Sequence, residues 1–235
     1  MKILAFVPAR GGSKELPRKN MLNLSGKPLI DYTLDVLKGL GDRIHPFVST
    51  DDDEISEFCK KQGFDMSYQR PSKLAGDSSS IIDAVWDAVQ WVEREKKYVP
   101  DAILILQPTS PFRRIGEIKK AIERFQEKNL KSLASVTNVK QHPYECVELN
   151  ERNWNYLVEP PPNITRRQDY QMNYYFIDGS IYLATIKFLL KYQQFVVKDI
   201  TDLFILENNP SIDIDNILDF KFAETVLDSK NIFIF

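Results

Sequence analysis

The sequence predicts a doubly wound α/β fold built on a mostly parallel sheet. Three observations carry that reading. Short, continuous apolar runs alternate with segments whose apolar residues repeat at helical spacing. The first run empties into a basic, glycine-containing loop. The alternation is interrupted once, between about residues 142 and 182. Strands that alternate with helices pair in parallel through right-handed crossovers. Ligands of such sheets bind beyond the carboxyl ends of the strands.

Ile3 to Val7 (ILAFV) is apolar at every position, as in a strand buried on both faces. Leu29, Ile30, Thr33, Leu34 and Leu37 mark a helix over Pro28 to Leu40, stopped by Gly39 and Gly41. Pro46 to Thr50 is a second strand. A short helix, Asp53 to Gln62, carries Ile55, Phe58 and Cys59 on one side and Gly63 at its end. Ser80 to Lys96 has the clearest stripe, formed by Ile82, Val85, Trp86, Val89 and Val92. Ala102 to Leu106 (AILIL) is the most strand-like run; Ile115 to Glu127 is helical, and Leu133 to Val136 a strand. The interruption holds Pro160-Pro161-Pro162 with Trp154, Tyr156, Tyr170, Tyr174 and Tyr175. It reads as an extended insertion. A helix at Ile186 to Tyr192, a strand at Phe204 to Leu206 and a helix at Ile217 to Leu227 follow. The whole chain, 1–235, reads as one domain with an inserted aromatic-rich arm at about 140–182.

Composition narrows the function. The chain has 235 residues, 43% of them hydrophobic, enough for one substantial core. Lys and Arg number 31 against 33 Asp and Glu, a net charge of −2, without the basic stripe that nucleic-acid binding needs. Cys59 and Cys146 form no C-x-x-C pair and read as free thiols of a cytoplasmic protein. His45 and His142 lie far from both, which argues against structural zinc. The first apolar run is too short for a signal peptide, and no run reaches membrane-spanning length.

Charge is concentrated in the first loop, PARGGSKELPRKN, residues 8–20. Arg10, Lys14, Arg18 and Lys19 surround Gly11 and Gly12, with Glu15 the one acid among them. The simplest physical cause is a bound polyanion. The loop lacks the third glycine of a dinucleotide fingerprint and the spacing of a P-loop. It suits a glycine loop around a nucleoside triphosphate. Backbone N–H groups of Gly11 and Gly12 approach oxygens closely, and Ser13 adds a hydroxyl. Arg10 clamps phosphate bidentately, while Lys14 and Lys19 act as mobile charges. A solvated basic turn accounts for the same residues.

Four stretches in chain order resemble the acylneuraminate cytidylyltransferases, the CMP-sialic acid synthetases and their relatives. They are the loop just quoted, Arg70-Pro71-Ser72-Lys73-Leu74-Ala75-Gly76-Asp77, Leu106-Gln107-Pro108-Thr109-Ser110-Pro111-Phe112-Arg113 and Ser211-Ile212-Asp213-Ile214-Asp215. The resemblance implies a Rossmann-like nucleotidyltransferase fold and a reaction of CTP with a nine-carbon α-keto acid sugar, giving CMP-sugar and pyrophosphate. It places Arg10, Gly11, Gly12, Ser13, Lys14, Lys19 and Asn20 on the nucleotide's triphosphate side. It places Arg70, Ser79 and Ser80 at the base. A surface salt bridge for Arg70, and a helix N-cap at Ser80 with Asp83, are the plainer alternatives. Gln107 falls between ribose and sugar, and Arg167, Gln168 and Tyr182 on the sugar side. Asp213 and Asp215 take Mg²⁺, since side chains two apart on an extended segment point the same way. Without the resemblance, caps of the last helix would be the favoured reading. Arg10, Lys19, Asp213 and Asp215 are the catalytic set. Asp51 and Asp52 read as solvent-facing acids at a helix start.

The chain departs from the family pattern in three places. Glu15 stands where glycine is usual, Glu145 where a lysine is usual, and Phe176 and Asp178 where arginine and asparagine are usual. All lie at or near the sugar side, which points away from N-acetylneuraminate and toward legionaminate, pseudaminate or another bacterial keto-acid sugar. The resemblance also implies a homodimer whose arms help close each other's sites. An enzyme for an eight-carbon keto acid and a non-catalytic nucleotide-binding module are the competing readings.

Overall fold

A computed structural model describes residues 1–163, 166, 169–170, 173–207 and 211–229. Strand β1 (Ile3–Pro8) leads through the basic loop to a two-strand ribbon, β2 (Asn23–Leu24) and β3 (Lys27–Pro28). Helix α1 (Leu29–Leu40), strand β4 (His45–Ser49), helices α2 (Asp53–Lys61) and α3 (Ile81–Lys96), strand β5 (Ala102–Ile105), helix α4 (Ile115–Glu127) and strand β6 (Ser132–Asn138) follow. The hairpin β7 (Val147–Leu149) and β8 (Trp154–Tyr156) begins the arm. Strand β9 (Tyr175–Thr185), helix α5 (Ile186–Tyr192), strand β10 (Asp202–Ile205) and helix α6 (Ile217–Asp228) complete the order.

The main sheet runs β10-β6-β9-β5-β1-β4. Parallel pairs join β1 to β4, β1 to β5 and β10 to β6, so the mostly parallel reading holds. One strand departs from it. β9 lies antiparallel between β5 and β6, in the middle of the sheet. Residues 175–182 therefore belong to the sheet, although the sequence assigns them to the arm. The pattern hides them because Asp178, Gly179 and Ser180 break the apolar run.

Each face carries one core. Ile30, Leu34 and Leu37 of α1, Ile55 and Cys59 of α2, and Ile118, Ile122 and Phe125 of α4 cover the first. Val85, Ala88, Val89 and Val92 of α3, with Phe188 and Leu189 of α5, cover the second. A third, small cluster positions the site. Leu16 of the basic loop packs with Leu24, Leu29, Ile212, Ile214, Phe220 and Ala223. Ile212 and Ile214 alternate with Asp213 and Asp215 on an extended segment. Burying the isoleucines turns the carboxylates outward, beside the loop. No helix of the described residues is long and apolar enough to cross a membrane.

Candidate active site

A cleft of about 400 Å³ opens at the carboxyl ends of β1 and β5. Eleven predicted residues line it: Arg10, Gly12, Ser13, Lys19, Asn20, Arg70, Ser79, Ser80, Gln107, Asp213 and Asp215. They arrive from segments as far apart as Arg10 and Asp215, and the topology alone brings them together.

The basic loop is braced from beneath. The N–H of Gly11 donates to Asp51 Oδ1 at 3.0 Å. Asp52 caps α2 by accepting from the N–H of Ile55 at 3.0 Å, and it accepts both Nη1 and Nη2 of Arg18, at 2.9 and 3.0 Å. Asp51 and Asp52, expected to face solvent, instead hold the loop. Gly11 stands so close to Asp52 that a Cβ would lie 2.5 Å from Oδ2, so the position needs glycine. It serves the brace and does not line the cleft. Asn20 is buried and donates Nδ2 to the Arg10 carbonyl at 2.9 Å, fixing the loop's shape. Glu15 is exposed and stays off the cleft wall.

The cations of the cleft hold acids in exchangeable pairs. Arg10 and Lys14 both pair with Asp77, at 2.8 and 3.0 Å. These charge-assisted bonds hold the Asp77 carboxyl below its ordinary range. Lys19 donates to Asp215 at 3.1 Å and to the Ile214 carbonyl at 2.8 Å. Solvent screens the pairs on Asp77, so a more highly charged anion displaces them easily.

Arg70 differs from the surface salt bridge that composition allows. It is 6% exposed and donates Nε to Ser49 Oγ and Nη2 to the Ser49 carbonyl, each at 2.9 Å. Burial lowers its pKa. The guanidinium is thus fixed in direction with one face on the cleft. Ser80 caps α3, accepting from the N–H of Ile82 at 3.1 Å, and Ser79 donates to the Lys73 carbonyl at 3.0 Å. The helix start faces the cleft with free N–H groups, so the capping and ligand roles coincide.

Asp213 and Asp215 do not cap α6. Asn216 does, in a capping box with Asp219. Burial raises the pKa of Asp213; Thr109 lowers it by hydrogen bonding, Asp215 raises it, and Lys19 and Arg113 lower it. Among the described residues no group of three or more His, Cys, Asp or Glu side chains could hold a metal. Two carboxylates on one wall of an anion-ready cleft still fit Mg²⁺, which takes one or two and fills its shell with phosphate oxygens and water.

Sequence reasoning missed several residues. Arg113 is buried at the base of the site and donates Nε to the Ser180 carbonyl at 2.6 Å, Nη1 to Thr33 Oγ1 at 3.2 Å, and Nη2 to the Gln107 carbonyl. Asp77 and Thr109 line the cleft. All three sit in the quoted motifs, which was their available signal. Next to the cleft, sharing Asp213, is a second cavity of about 650 Å³ lined by Thr137, Asn138, Lys140, Phe176, Asp178 and Ser211, among others. Phe176 and Asp178, two of the departures, are therefore on its wall. Tyr182 is not among the residues lining either cavity, but its hydroxyl stands near Gly179, as Gln107 Nε2 does. It packs in the second core, its ring 5.7 Å from that of Phe195. Arg167 and Gln168 lie outside the described residues.

The chain is similar to known proteins in sequence and in fold. A family model described as cytidylyltransferase matches residues 4–220. The pseudaminic acid cytidylyltransferase of Campylobacter jejuni is 32% identical over 224 residues, covering 95% of each chain. The CMP-N,N'-diacetyllegionaminic acid synthase of Legionella pneumophila is 32% identical over 231 residues, covering 97% of each. In fold, the chain resembles a CMP:2-keto-3-deoxy-manno-octonic acid synthetase solved with CTP, with a TM-score of 0.71 at 18% identity, covering 98% of this chain and 100% of that one.

Proposed function

The chain belongs to the cytidylyltransferase family, and from that premise we propose that it transfers a cytidylyl group from CTP to a nine-carbon α-keto acid sugar. The observation that carries the reading is the cleft itself, where Arg10, Lys19, Arg70, Asp213 and Asp215 converge beyond the strand ends. The sugar's anomeric oxygen attacks the α-phosphorus, a P–O bond forms, and the bond to pyrophosphate breaks. Catalysis of this kind is positioning and charge stabilisation.

Arg10, Lys14 and Lys19 hold the triphosphate by exchanging Asp77 and Asp215 for phosphate oxygens. Gly12 and Ser13 offer the loop backbone and a hydroxyl. Arg70, fixed on Ser49, reads the cytosine from one side, with Ser79 and Ser80 at the helix start on the other. Gln107, on the wall of the cleft, bridges nucleotide and sugar. The second cavity receives the sugar. Asp213 and Asp215 hold Mg²⁺, which when bound neutralises phosphate charge and lowers the pKa of the attacking hydroxyl.

The identity to relatives named for pseudaminic and legionaminic acids, with Phe176 on the sugar wall, favours a bacterial nonulosonate of that type. The same reading makes the protein a cytoplasmic homodimer, and the arm supports the dimer. The arm's hairpin exposes Leu149 and Trp154, Leu157 follows it exposed, and Tyr175, Phe176 and Ile177 are exposed at the start of β9. Exposed large apolar side chains of this kind suit an interface with a second copy.

The test is pyrophosphate release with CTP and Mg²⁺ against sialic, legionaminic, pseudaminic and eight-carbon keto acids, with ATP, GTP and UTP as controls. Release with CTP and one nine-carbon acid supports the reading. Turnover of the eight-carbon acid alone, or CTP binding with no release across the panel, overturns it.

A further inference from the structure

We propose that Asp178 is a positioning residue that sets the Asp213–Asp215 carboxylate pair, acting through Ser211. The inference rests on the nucleotidyl-transfer reading and adds a residue to it. β9 bulges where it crosses the site. Ala134 pairs with Tyr182 and Val136 with Ile177, so Asp178 through Ile181 face the single residue Ser135. Bulges of this sort re-aim side chains next to active sites. Gly179 permits this one with a φ of +72°, and a Cβ there would stand 3.5 Å from Gln107 Nε2.

Asp178 is 3% exposed and sits at the centre of the bulge. Its Oδ1 accepts from Ser135 Oγ and from the Ser180 N–H at 3.2 Å; its Oδ2 accepts from Ser180 Oγ at 3.0 Å and Ser211 Oγ at 3.2 Å. Four donors fill the acceptor positions of one carboxylate, so little capacity is left for a ligand. The role is internal. The donors come from β6, from β9 and from the segment that carries Asp213, so one side chain ties all three together.

The carboxylate segment is held at two further points. The N–H of Ile214 donates to the Thr109 carbonyl at 2.8 Å, and Lys19 Nζ donates to the Ile214 carbonyl at 2.8 Å. Asp213 lies between these ties and Ser211. Releasing Ser211 frees the segment on one side of Asp213 while leaving the isoleucine packing intact. A misplacement of about 1 Å in a catalytic array costs on the order of 10²-fold.

Two variants and two readouts test this. Ser211→Ala removes one hydroxyl from a partly exposed residue, and Asp178→Asn keeps the shape while giving up acceptor capacity. Mn²⁺ affinity is read by electron paramagnetic resonance with CTP bound, alongside kcat for pyrophosphate release. We expect each variant to lose roughly tenfold or more in Mn²⁺ affinity and in kcat, the usual scale for partners of a metal ligand. CTP affinity without divalent ion should stay within about twofold. The double variant should fall no further than Asp178→Asn alone, because both act through one contact. Ser211→Ala that keeps wild-type Mn²⁺ affinity overturns the proposal. So do additive losses, or equal loss of metal-free CTP affinity. The Mn²⁺ readout needs no acceptor sugar. A wild-type protein that binds CTP and Mn²⁺ yet turns over no sugar would therefore count against the proposed function, and the variants would still decide the role of Asp178.

Discussion

Gly11→Ala should destabilise the protein and weaken nucleotide binding, and the neighbouring Gly12→Ala should do neither to the same degree. The Cβ of an alanine at 11 would lie 2.5 Å from Asp52 Oδ2 and 2.8 Å from Asp52 Cβ. Asp52 cannot swing aside freely, because it caps α2 through Ile55 and holds both terminal nitrogens of Arg18. Either the cap is lost, at about 0.5–2 kcal/mol, or the loop and helix are pushed apart, at about 1–3 kcal/mol. Taking both in part, the loss is about 2–4 kcal/mol. For a chain of this size each kcal/mol shifts Tm by roughly 2–4 °C, so a fall of roughly 5–15 °C is expected by differential scanning fluorimetry. CTP affinity, measured by calorimetry, should fall as well, since Arg10 and Gly12 move with the loop. A Cβ at Gly12 meets nothing within 4 Å, so that variant should keep its Tm or gain slightly. A Gly11→Ala protein that melts within about 1 °C of the wild type would refute the close-approach reasoning.

Further outcomes follow from the same geometry. Arg10→Ala should raise the KM for CTP about ten- to hundredfold, the value of one charged hydrogen-bond partner, and an unchanged KM in steady-state assays would remove Arg10 from the phosphate site. Asp215→Ala should abolish pyrophosphate release while circular dichroism stays native, because the cap of α6 is made by Asn216 and Asp219; retained turnover would end the metal role. The hydrogen bond and charge of Lys96, helped by Ser67, hold the Asp65 carboxyl at about 2 against an ordinary 3.8. A depressed acid stabilises the fold above its unfolded pKa and loses that contribution as pH falls through the folded one. Tm should therefore drop between about pH 4 and pH 2 less steeply in Asp65→Asn than in the wild type, and identical acid limbs would contradict the pairing. Burial pushes the Cys59 thiol up to about 12, so at pH 8 a thiol reagent should modify Cys146 and spare Cys59 in the folded protein.

Local chemistry alone determined much of this protein. Five parallel strands and six helices announce themselves because a strand buried on two faces must be apolar throughout, and a helix on a sheet must repeat at 3.6 residues. Arg10, Ser13 and Lys19 were legible as a basic glycine loop, and Arg70, Asp213 and Asp215 through the motifs that carry the family resemblance; all six line one cleft. Tertiary structure decided the rest. No local signal says that β9 runs antiparallel through the middle of the sheet, since its bulge is written in Asp, Gly and Ser, which look like a turn. Asp51 and Asp52 look like ordinary helix-start acids until the Gly11 loop lies on them. Asp178 looks like a replaced sugar contact until Ser135 and Ser211, distant in sequence, surround it. In each case the partner that sets the role comes from another segment, and pairings at long range depend on the packing of the whole sheet.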